Sequence, residues 1–284
     1  MGLKHQIGIM QGRLTNPKGR GIQFFPFDNW EKEFYTAQKL ELDEIEFIFD
    51  YDNYVQNPLW TPEGIKQIEK LKEETGIQIN TVCFDYFMRR PFYKAAPEEQ
   101  DLIREENTKI IKQILGSMEQ LGIGLIEVPL VDASSLSNNI EKAAFREWLL
   151  QIVESTNQSI RFGLETDLNP MDFLKYLKGF NSVQIGANYD SGNSSGMGYD
   201  VYEEVTILKD YIYNIHIKDR VYHGTTVQLG TGSADFDRMF QGLKKIGYRH
   251  NFILQAARGT DGEEESNISE QIEFVKKCIE KYSI

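Results

Sequence analysis

The 284-residue sequence contains little cysteine and has no excess of basic residues. Its two cysteines, Cys83 and Cys278, are far apart and form no CxxC pair, which argues against a thiolate zinc site or a disulfide framework. Lysine and arginine number 31 against 43 aspartate and glutamate residues, so the formal net charge is −12. Such a charge repels nucleic-acid backbones and anionic membrane surfaces, and we expect neither as a partner.

Long apolar runs are also absent. No segment approaches the roughly 18 apolar residues that a membrane-spanning helix needs. The N-terminal residues MGLKHQIGIM show neither the apolar core nor the cleavage site of a secretory signal. Position 6 is Gln6, where a myristoylation signal has Ser or Thr. We therefore expect a cytoplasmic protein.

The sequence does contain eight β-like runs that alternate with amphipathic, helix-like segments. Before Leu125, apolar residues recur at three- and four-residue steps, and residues 268–279 repeat this pattern. Strand–helix alternation predicts parallel strands, and eight such units predict one (β/α)8 TIM barrel over residues 1–284. A doubly wound sheet is the competing layout. The predicted strands are Ile7–Met10, Glu44–Phe49, Ile77–Phe84, Leu125–Val131, Ile160–Thr166, Val183–Tyr189, Ile212–Lys218 and Phe252–Gln255.

Loop lengths differ between the two ends of the predicted barrel. Connections from helix to strand are short, as in LELD and LGIG. Connections from strand to helix are long and rich in Gly, Pro and aromatic residues, as in QGRLTNPKGRGIQFFPFDN and DYFMRRPFYKAAPEE. Function in this architecture resides on the strand-to-helix connections, so we expect the site at the carboxyl ends of the strands.

Three consecutive predicted strands end in side chains that bind metal ions. RFGLETDL offers Glu165, VQIGANYDSGN offers Asp190 and YNIHIKDR offers His216. One histidine with carboxylates suits a single divalent cation such as Mn²⁺, Co²⁺, Mg²⁺ or Zn²⁺. The amide oxygen of Gln255, at the end of the last strand, is a candidate fourth ligand. The alternative is that the carboxylates cap helices or form ion pairs and that His216 is a hydrogen-bonded core residue.

The same residues carry a resemblance to a known superfamily. Together with the opening GIMQGRL, the HIKD of the seventh strand and the stretch LGTGSADFDRMFQGLKKIGYRHNFILQ, they resemble the xylose isomerase-like barrels, which are sugar and sugar-phosphate isomerases and epimerases. The resemblance spans essentially the whole chain. It implies one divalent cation held by Glu165, Asp190, His216 and Gln255.

Two positions depart from the ketose 3-epimerases of that superfamily. These enzymes have a second glutamate at the position of Gln255 and a histidine at that of Asn193. Gln255 can coordinate a cation but cannot exchange protons, so the two-carboxylate mechanism that the resemblance implies lacks one partner.

The chemistry that remains is proton transfer next to a carbonyl. A divalent cation that chelates the carbonyl and a neighbouring hydroxyl stabilises the enediolate. Glu165 is the predicted base. Lys218, which shares a strand face with His216, is the predicted second proton donor, and its alternative is a plain salt bridge. Further candidates for that role are Glu127, Glu46 and His223.

Arginines on the strand-to-helix connections are candidates for binding a substrate phosphate or carboxylate. The glycine-rich loop GTTVQLGTGSADF could add backbone N–H donors. The alternative is that the arginines are ordinary surface residues and that the glycines serve turns. The arginines are Arg13, Arg89, Arg90, Arg220 and Arg258, and the predicted substrate-binding residues are Arg13, Glu46, Glu127, Asn193, Arg220 and Arg258.

The leading interpretation is a metal-dependent isomerase or epimerase of a sugar or sugar phosphate, with a homo-oligomer left open. One alternative is a dehydratase of inosose or dehydroshikimate type, which the superfamily also contains. Another is a non-catalytic sugar-binding barrel, in which the amide marks lost chemistry. A DNA-repair role of the endonuclease IV type is disfavoured, because its trinuclear zinc site needs many histidines and the chain has four.

Overall fold

A computed structural model describes residues 5–284 as a closed barrel of parallel strands with helices between them. The barrel strands are β1 (Ile7–Met10), β2 (Glu44–Ile48), β3 (Thr81–Cys83), β4 (Leu125–Leu130), β5 (Arg161–Thr166), β6 (Ile185–Asp190), β7 (Ile212–Ile217) and β10 (Phe252–Leu254). Each strand pairs with the next, and β10 pairs with both β7 and β1. The predicted (β/α)8 barrel is confirmed, and closure rules out the doubly wound sheet. One domain over residues 1–284 stays a prediction.

Two strands differ from their predicted bounds by more than one residue at an end. Pairing of β3 is confined to residues 81–83 of the predicted Ile77–Phe84, because residues 77–80 approach β2 only at an isolated bridge from Gln78 to Glu44. β6 starts two residues later than predicted, because the side chain of Val183 is 87% exposed and contributes nothing to the barrel wall.

Helices surround the barrel. Every residue of the predicted apolar stripe before Leu125 is buried on one face of α4. Among residues 5–284, no helix is both long and apolar enough to span a bilayer. The helices are α1 (Trp30–Lys39), α2 (Pro62–Thr75), α3 (Tyr86–Arg89), α4 (Gln100–Leu121), α5 (Asn139–Glu154), α6 (Pro170–Lys178), α7 (Ser191–Met197), α8 (Val201–Leu208), α9 (Phe236–Ile246) and α10 (Glu264–Tyr282).

The barrel interior contains both apolar and polar side chains. Met10, Ile48, Cys83 and Ile253 form a small apolar cluster, separate from the large core between the strands and the helices. Buried polar side chains lie beside it: Glu46 on β2 and Glu127 on β4 approach Cys83. The carboxyl-end interior positions of β5, β6 and β7 carry the predicted ligands.

A hairpin after β7 is fastened to the barrel by one aspartate. Asp219 is fully buried, and its carboxylate accepts hydrogen bonds from the backbone N–H groups of Gly230 and Gly232, both at 2.9 Å, and of Ala234 at 3.0 Å. The prediction that this loop offers free N–H donors to a substrate anion is wrong for these three groups, because Asp219 already binds them. The hairpin strands are β8 (Asp219–Arg220) and β9 (Thr226–Val227).

We expect Asp219→Ala to destabilise the fold by about 2–5 kcal/mol, because three buried backbone donors lose a charged acceptor. Residues 220–235 should then become a site of proteolytic cleavage. The control is Asp235→Ala, which removes the exposed N-cap of α9 that accepts from Arg238 N at 2.9 Å and should cost about 1 kcal/mol. Urea unfolding and limited proteolysis measure both effects, and equal losses for the two variants would contradict the role of Asp219.

Candidate active site

The three predicted metal ligands converge at the barrel mouth. Glu165, Asp190 and His216 are buried at the carboxyl ends of β5, β6 and β7. One potential ligand atom of each lies within 4.8 Å of the other two. His216 Nδ1 is 3.0 Å from Glu165 Oε2 and 3.9 Å from Asp190 Oδ2. The register pairs Asp190 with His216, so both side chains point inward at one height.

Glu46 orients the imidazole of His216. Glu46 Oε1 is 2.8 Å from His216 Nε2, and Glu46 Oε2 accepts from Asn214 Nδ2 at 2.8 Å. Because Nε2 faces Glu46, the other ring nitrogen, Nδ1, faces the carboxylates of Glu165 and Asp190. A carboxylate partner of this kind fixes the orientation of a metal-binding histidine in many proteins.

His216 Nδ1 and Glu165 Oε2 both carry lone pairs, so their contact at 3.0 Å requires a proton or a metal cation between them. Burial opposes protonation of His216, but the charge of Glu46 and the hydrogen bonds to Glu165 and Glu46 outweigh it and raise the pKa of the imidazole well above its ordinary value. A carboxylate oxygen beside each ring nitrogen favours the protonated imidazole. A divalent cation would replace that proton.

Two asparagines hold the carboxylate of Glu165. Asn188 Nδ2 donates to Glu165 Oε2 at 2.8 Å, and Asn193 Nδ2 donates to Oε1 at 2.7 Å. Burial opposes ionisation of Glu165, but the hydrogen bond and the charge of His216 outweigh it and lower the pKa of the carboxyl group. Asn188 was not predicted from the sequence, although its position two residues before Asp190 places it on the same face of β6.

Asp190 has two roles. Its Oδ1 accepts from the backbone N–H of Asn193 at 2.8 Å and caps α7, so the alternative role of a helix cap holds for this oxygen. Its Oδ2 faces His216 and lies 3.3 Å from Lys218 Nζ. Burial raises the pKa of Asp190 against the opposing charge of Lys218. One oxygen of the carboxylate is thus used for the fold and the other is directed to the site.

Gln255 is the middle of a chain of polar side chains. Lys218 Nζ donates to Gln255 Oε1 at 3.2 Å, Gln255 Nε2 donates to Gln23 Oε1 at 3.1 Å, and Gln23 Nε2 donates to Asp85 Oδ1 at 2.7 Å. We call Lys218, Gln255, Gln23 and Asp85 the rim chain. Lys218 also forms an ion pair with Asp190, so the first residue of the rim chain contacts a predicted metal ligand.

A cavity of about 660 Å³ opens over these residues. Six of the predicted site residues line it, together with Gln23, Asp85 and Arg89. Gln23 and Asp85 were not predicted as site residues. No spacing signal marks Gln23, which lies on a connection, whereas Asp85 directly follows the predicted third strand, as Asp190 follows the predicted sixth. The predicted residues on the cavity wall are Glu127, Glu165, Asn193, Lys218, Arg220 and Gln255.

Arg13 and Arg258 lie outside the cavity lining and fasten the β1–α1 connection. Arg13 is buried and donates to the backbone carbonyls of Ile22 and Gln255. Arg258 donates to the carbonyls of Ile22 and Gly12, both at 2.8 Å. Neither guanidinium group reaches the cavity wall in this arrangement. Substrate contacts by Arg13 and Arg258, and by Glu46 beneath His216, stay predictions.

Glu127 is a buried acid without a hydrogen-bond partner for either carboxyl oxygen within the described residues. Burial and the charge of Glu165 raise its pKa well above the ordinary value, against the opposing charge of His216. Glu127, Glu46 and Cys83 form a second group of potential ligands. Glu46 directs its two oxygens to His216 and Asn214 in this arrangement.

The donor set of Glu165, Asp190 and His216 fits a divalent cation. The three donors are two carboxylate oxygens and an imidazole nitrogen, a combination typical of Mg²⁺, Mn²⁺, Co²⁺ and Zn²⁺ sites. The orientation of His216 by Glu46 directs Nδ1 to the same point as the carboxylates. The carbonyl oxygen of Gln255, which now accepts from Lys218, would complete the set.

Known proteins resemble this chain over nearly its whole length. L-ribulose-5-phosphate 3-epimerase UlaE of Escherichia coli is 24% identical over 263 residues, which cover 89% of this chain and 90% of that protein. The crystal structure of D-allulose 3-epimerase from Methylomonas sp. in complex with D-allulose has a TM-score of 0.72 at 14% identity, over 98% of this chain and 99% of the other.

A third relative contains a metal ion. It is a xylose isomerase-like TIM barrel protein from Mycobacterium smegmatis in complex with magnesium, with a TM-score of 0.68 at 15% identity, over 98% of each chain. The family model described as xylose isomerase-like TIM barrel matches residues 34–278. Because this match covers most of the chain, the protein belongs to the xylose isomerase-like TIM-barrel family.

Proposed function

We propose that the protein is a sugar epimerase that inverts a carbon next to a ketose carbonyl through an enediolate. The observation that carries the proposal is the convergence of Glu165, Asp190 and His216, of which Glu165 lines a cavity large enough for a pentose or hexose. Relatives of the chain that act on ketoses, L-ribulose-5-phosphate 3-epimerase and D-allulose 3-epimerase, support it.

Glu165 is the proposed base. Its carboxylate lines the cavity, is oriented by Asn188 and Asn193, and has a lowered pKa, so it is ionised at neutral pH. Asparagine partners fix the carboxylate without taking its charge, which leaves it able to accept a proton from a carbon acid. Asn193, in addition, accepts from Arg220 at 3.3 Å and so ties Glu165 to the hairpin.

Glu165, Asp190, His216 and Gln255 are the proposed ligands of one divalent cation. When bound, the cation would stabilise negative charge on the oxygens of the enediolate. Lys218 places its ammonium group against both Asp190 and Gln255, at 3.3 and 3.2 Å. It thereby offsets the acidic charge of the site whether or not Gln255 coordinates. A role for Lys218 as proton donor stays a prediction.

A terminal phosphate is the proposed anionic group of the substrate. Two guanidinium groups line the cavity, those of Arg89 and Arg220. Arg220 is partly engaged by the carbonyl of Gly224 at 2.9 Å, whereas Arg89 forms no ion pair among residues 5–284 and lies 5.9 Å from the ring centre of Tyr51. An unpaired guanidinium on a cavity wall suits a phosphate, and the relative UlaE acts on a ketose phosphate.

The alternatives share this geometry and differ in products. An aldose–ketose isomerase would need only one base, and a dehydratase would expel a β-hydroxyl. No observation in the chain favours a dehydratase, and the relatives named above are epimerases. A non-catalytic barrel would bind sugar without exchanging hydrogen.

We expect the protein, incubated in D₂O with Mn²⁺ or Mg²⁺, to incorporate deuterium next to the carbonyl of a ketose. The panel comprises L-ribulose, L-ribulose 5-phosphate, D-allulose and D-tagatose. Glu165→Ala and His216→Ala should each reduce exchange by at least about 100-fold, because the base or a ligand is lost. Glu98→Gln, on an exposed part of the β3–α4 connection, is the control. Proton NMR reports exchange, inversion and loss of water separately, and a protein that exchanges no hydrogen on any ketose contradicts the proposal.

Substitution of Gln255 tests its coordination. Gln255→Glu should bind Mn²⁺ at least about tenfold more tightly, because a charged oxygen replaces a neutral one. Gln255→Ala should bind it more weakly, whereas Gln184→Ala, at the opposite end of the barrel, should not change the affinity. Calorimetric titration of chelator-treated protein measures all three. Unchanged affinity in Gln255→Ala would remove the amide from the ligand set.

Two adjacent arginines test the phosphate. Arg89 lines the cavity, and Arg90 forms an ion pair with Glu106 at 3.0 Å outside it. We expect Arg89→Ala to raise KM for L-ribulose 5-phosphate about tenfold or more and to leave KM for L-ribulose unchanged, because one charged hydrogen bond is lost. Arg90→Ala should change neither. If Arg89→Ala affected both sugars equally, the phosphate role would be wrong.

A further inference from the structure

An epimerase must handle protons on both faces of the reacting carbon, and the amide of Gln255 cannot supply the second group. The inference that follows rests on the proposed function and deepens it. If Glu165 removes a proton from one face, another titratable side chain on the cavity wall has to deliver a proton to the other. The cavity wall therefore limits the candidates to a short set.

Besides Glu165, the carboxyl groups on this wall belong to Asp85, Glu127 and Asp132. Glu127 also lines the cavity, but neither of its carboxyl oxygens has appreciable accessible surface. Asp132 is exposed at the outer edge of the barrel. Lys218 is held between Asp190 and Gln255. Asp85 is the remaining carboxyl group on this wall, and it is half-buried.

Asp85 has no structural task that explains its carboxylate. It stands at the N-cap position of α3, yet its side chain makes no capping hydrogen bond. One oxygen, Oδ1, accepts from Gln23, and Oδ2 has no hydrogen-bond partner within residues 5–284. The carboxyl group is therefore fixed at one oxygen and available at the other.

The hydrogen bonds of the rim chain connect the side chain of Asp85 to Gln255 and Lys218. Gln23 donates to Asp85 at 2.7 Å and accepts from Gln255 at 3.1 Å, and Gln255 accepts from Lys218. A displacement of Gln255 would therefore be transmitted to Asp85. Gln255, which stands where the ketose 3-epimerases have a second glutamate, is thus connected through Gln23 to the carboxyl group of Asp85.

The electrostatic surroundings of Asp85 suit proton transfer at neutral pH. Burial, together with the charges of Asp50 and Glu165, raises its pKa to about 7. The hydrogen bond from Gln23 and the charge of Arg89 oppose this rise. Protonated and ionised forms are both populated near this pH, which is the condition for a group that must donate in one direction and accept in the other.

We propose that Asp85 is the second catalytic acid–base group of the site. In one direction, the Glu165 carboxylate takes the proton from carbon and the Asp85 carboxylic acid gives its proton to the opposite face. The product has the inverted configuration, Glu165 is left protonated and Asp85 ionised. Proton exchange with solvent restores the starting state, and the reverse reaction uses the same two groups with their roles exchanged.

The test uses both C3 epimers, L-ribulose and L-xylulose, each with and without the 5-phosphate, in D₂O with Mn²⁺. Asp85→Asn keeps the size of the side chain and the acceptor for Gln23 but cannot donate or take the reacting proton. We expect inversion to fall about 100-fold or more in both directions. Hydrogen exchange should persist from the epimer that Glu165 deprotonates and be lost from the other.

This asymmetry separates a catalytic from a structural role. If Asp85→Asn inverts either epimer at the wild-type rate, or loses exchange equally from both epimers, the proposal for Asp85 is overturned. Glu98→Gln, the exposed acid-to-amide control on the same connection, should behave as wild type. Wild-type protein that neither inverts nor exchanges hydrogen on any of the four sugars overturns the proposed function, and the role of Asp85 with it.

Discussion

The structure depends on burying several acids around one imidazole. Glu46, Glu165 and Asp190 lie around His216 inside the barrel, and nearly every one of their oxygens has a donor or a cation near it. Unpaired buried carboxylates would cost several kcal/mol each, so the positive charge of His216 and Lys218, or of a bound cation, is a condition of the fold. Stability and the proposed chemistry thus draw on the same charges.

This condition explains why the buried polar side chains of the barrel interior bind one another. The apolar cluster of Met10, Ile48, Cys83 and Ile253 offers them no hydrogen-bonding side chain apart from the Cys83 thiol. Asparagines bind these carboxylates without adding another negative charge. Asn188 and Asn193 donate to Glu165, and Asn214 donates to Glu46. An amide at position 255 fits the same pattern, since a fourth carboxylate would need additional positive charge.

The sequence predicted the barrel and the three converging ligands because both follow from periodicity. Side chains two residues apart on a strand share a face, and parallel strands end at one edge, so Glu165, Asp190 and His216 could be placed without coordinates. Asp85 directly follows the predicted third strand, as Asp190 follows the predicted sixth, so the same signal could have found it. Gln23 could not be placed, because it lies on a connection whose path is set by tertiary contacts. The task of Asp219 was missed for the same reason, since its partners follow 11 to 15 residues later in an irregular loop.

The two sides of the barrel mouth are both tied down before any substrate arrives. Arg13 and Arg258 fasten the β1–α1 connection, and Asp219 fastens the hairpin. A binding surface that is already ordered loses little conformational entropy when a ligand enters, so more of the contact energy appears as affinity. A sugar too large for the existing cavity would have to break these hydrogen bonds to fit. Substrate selectivity would then depend on the hydrogen bonds that hold the β1–α1 connection and the hairpin, as well as on direct contacts with the sugar.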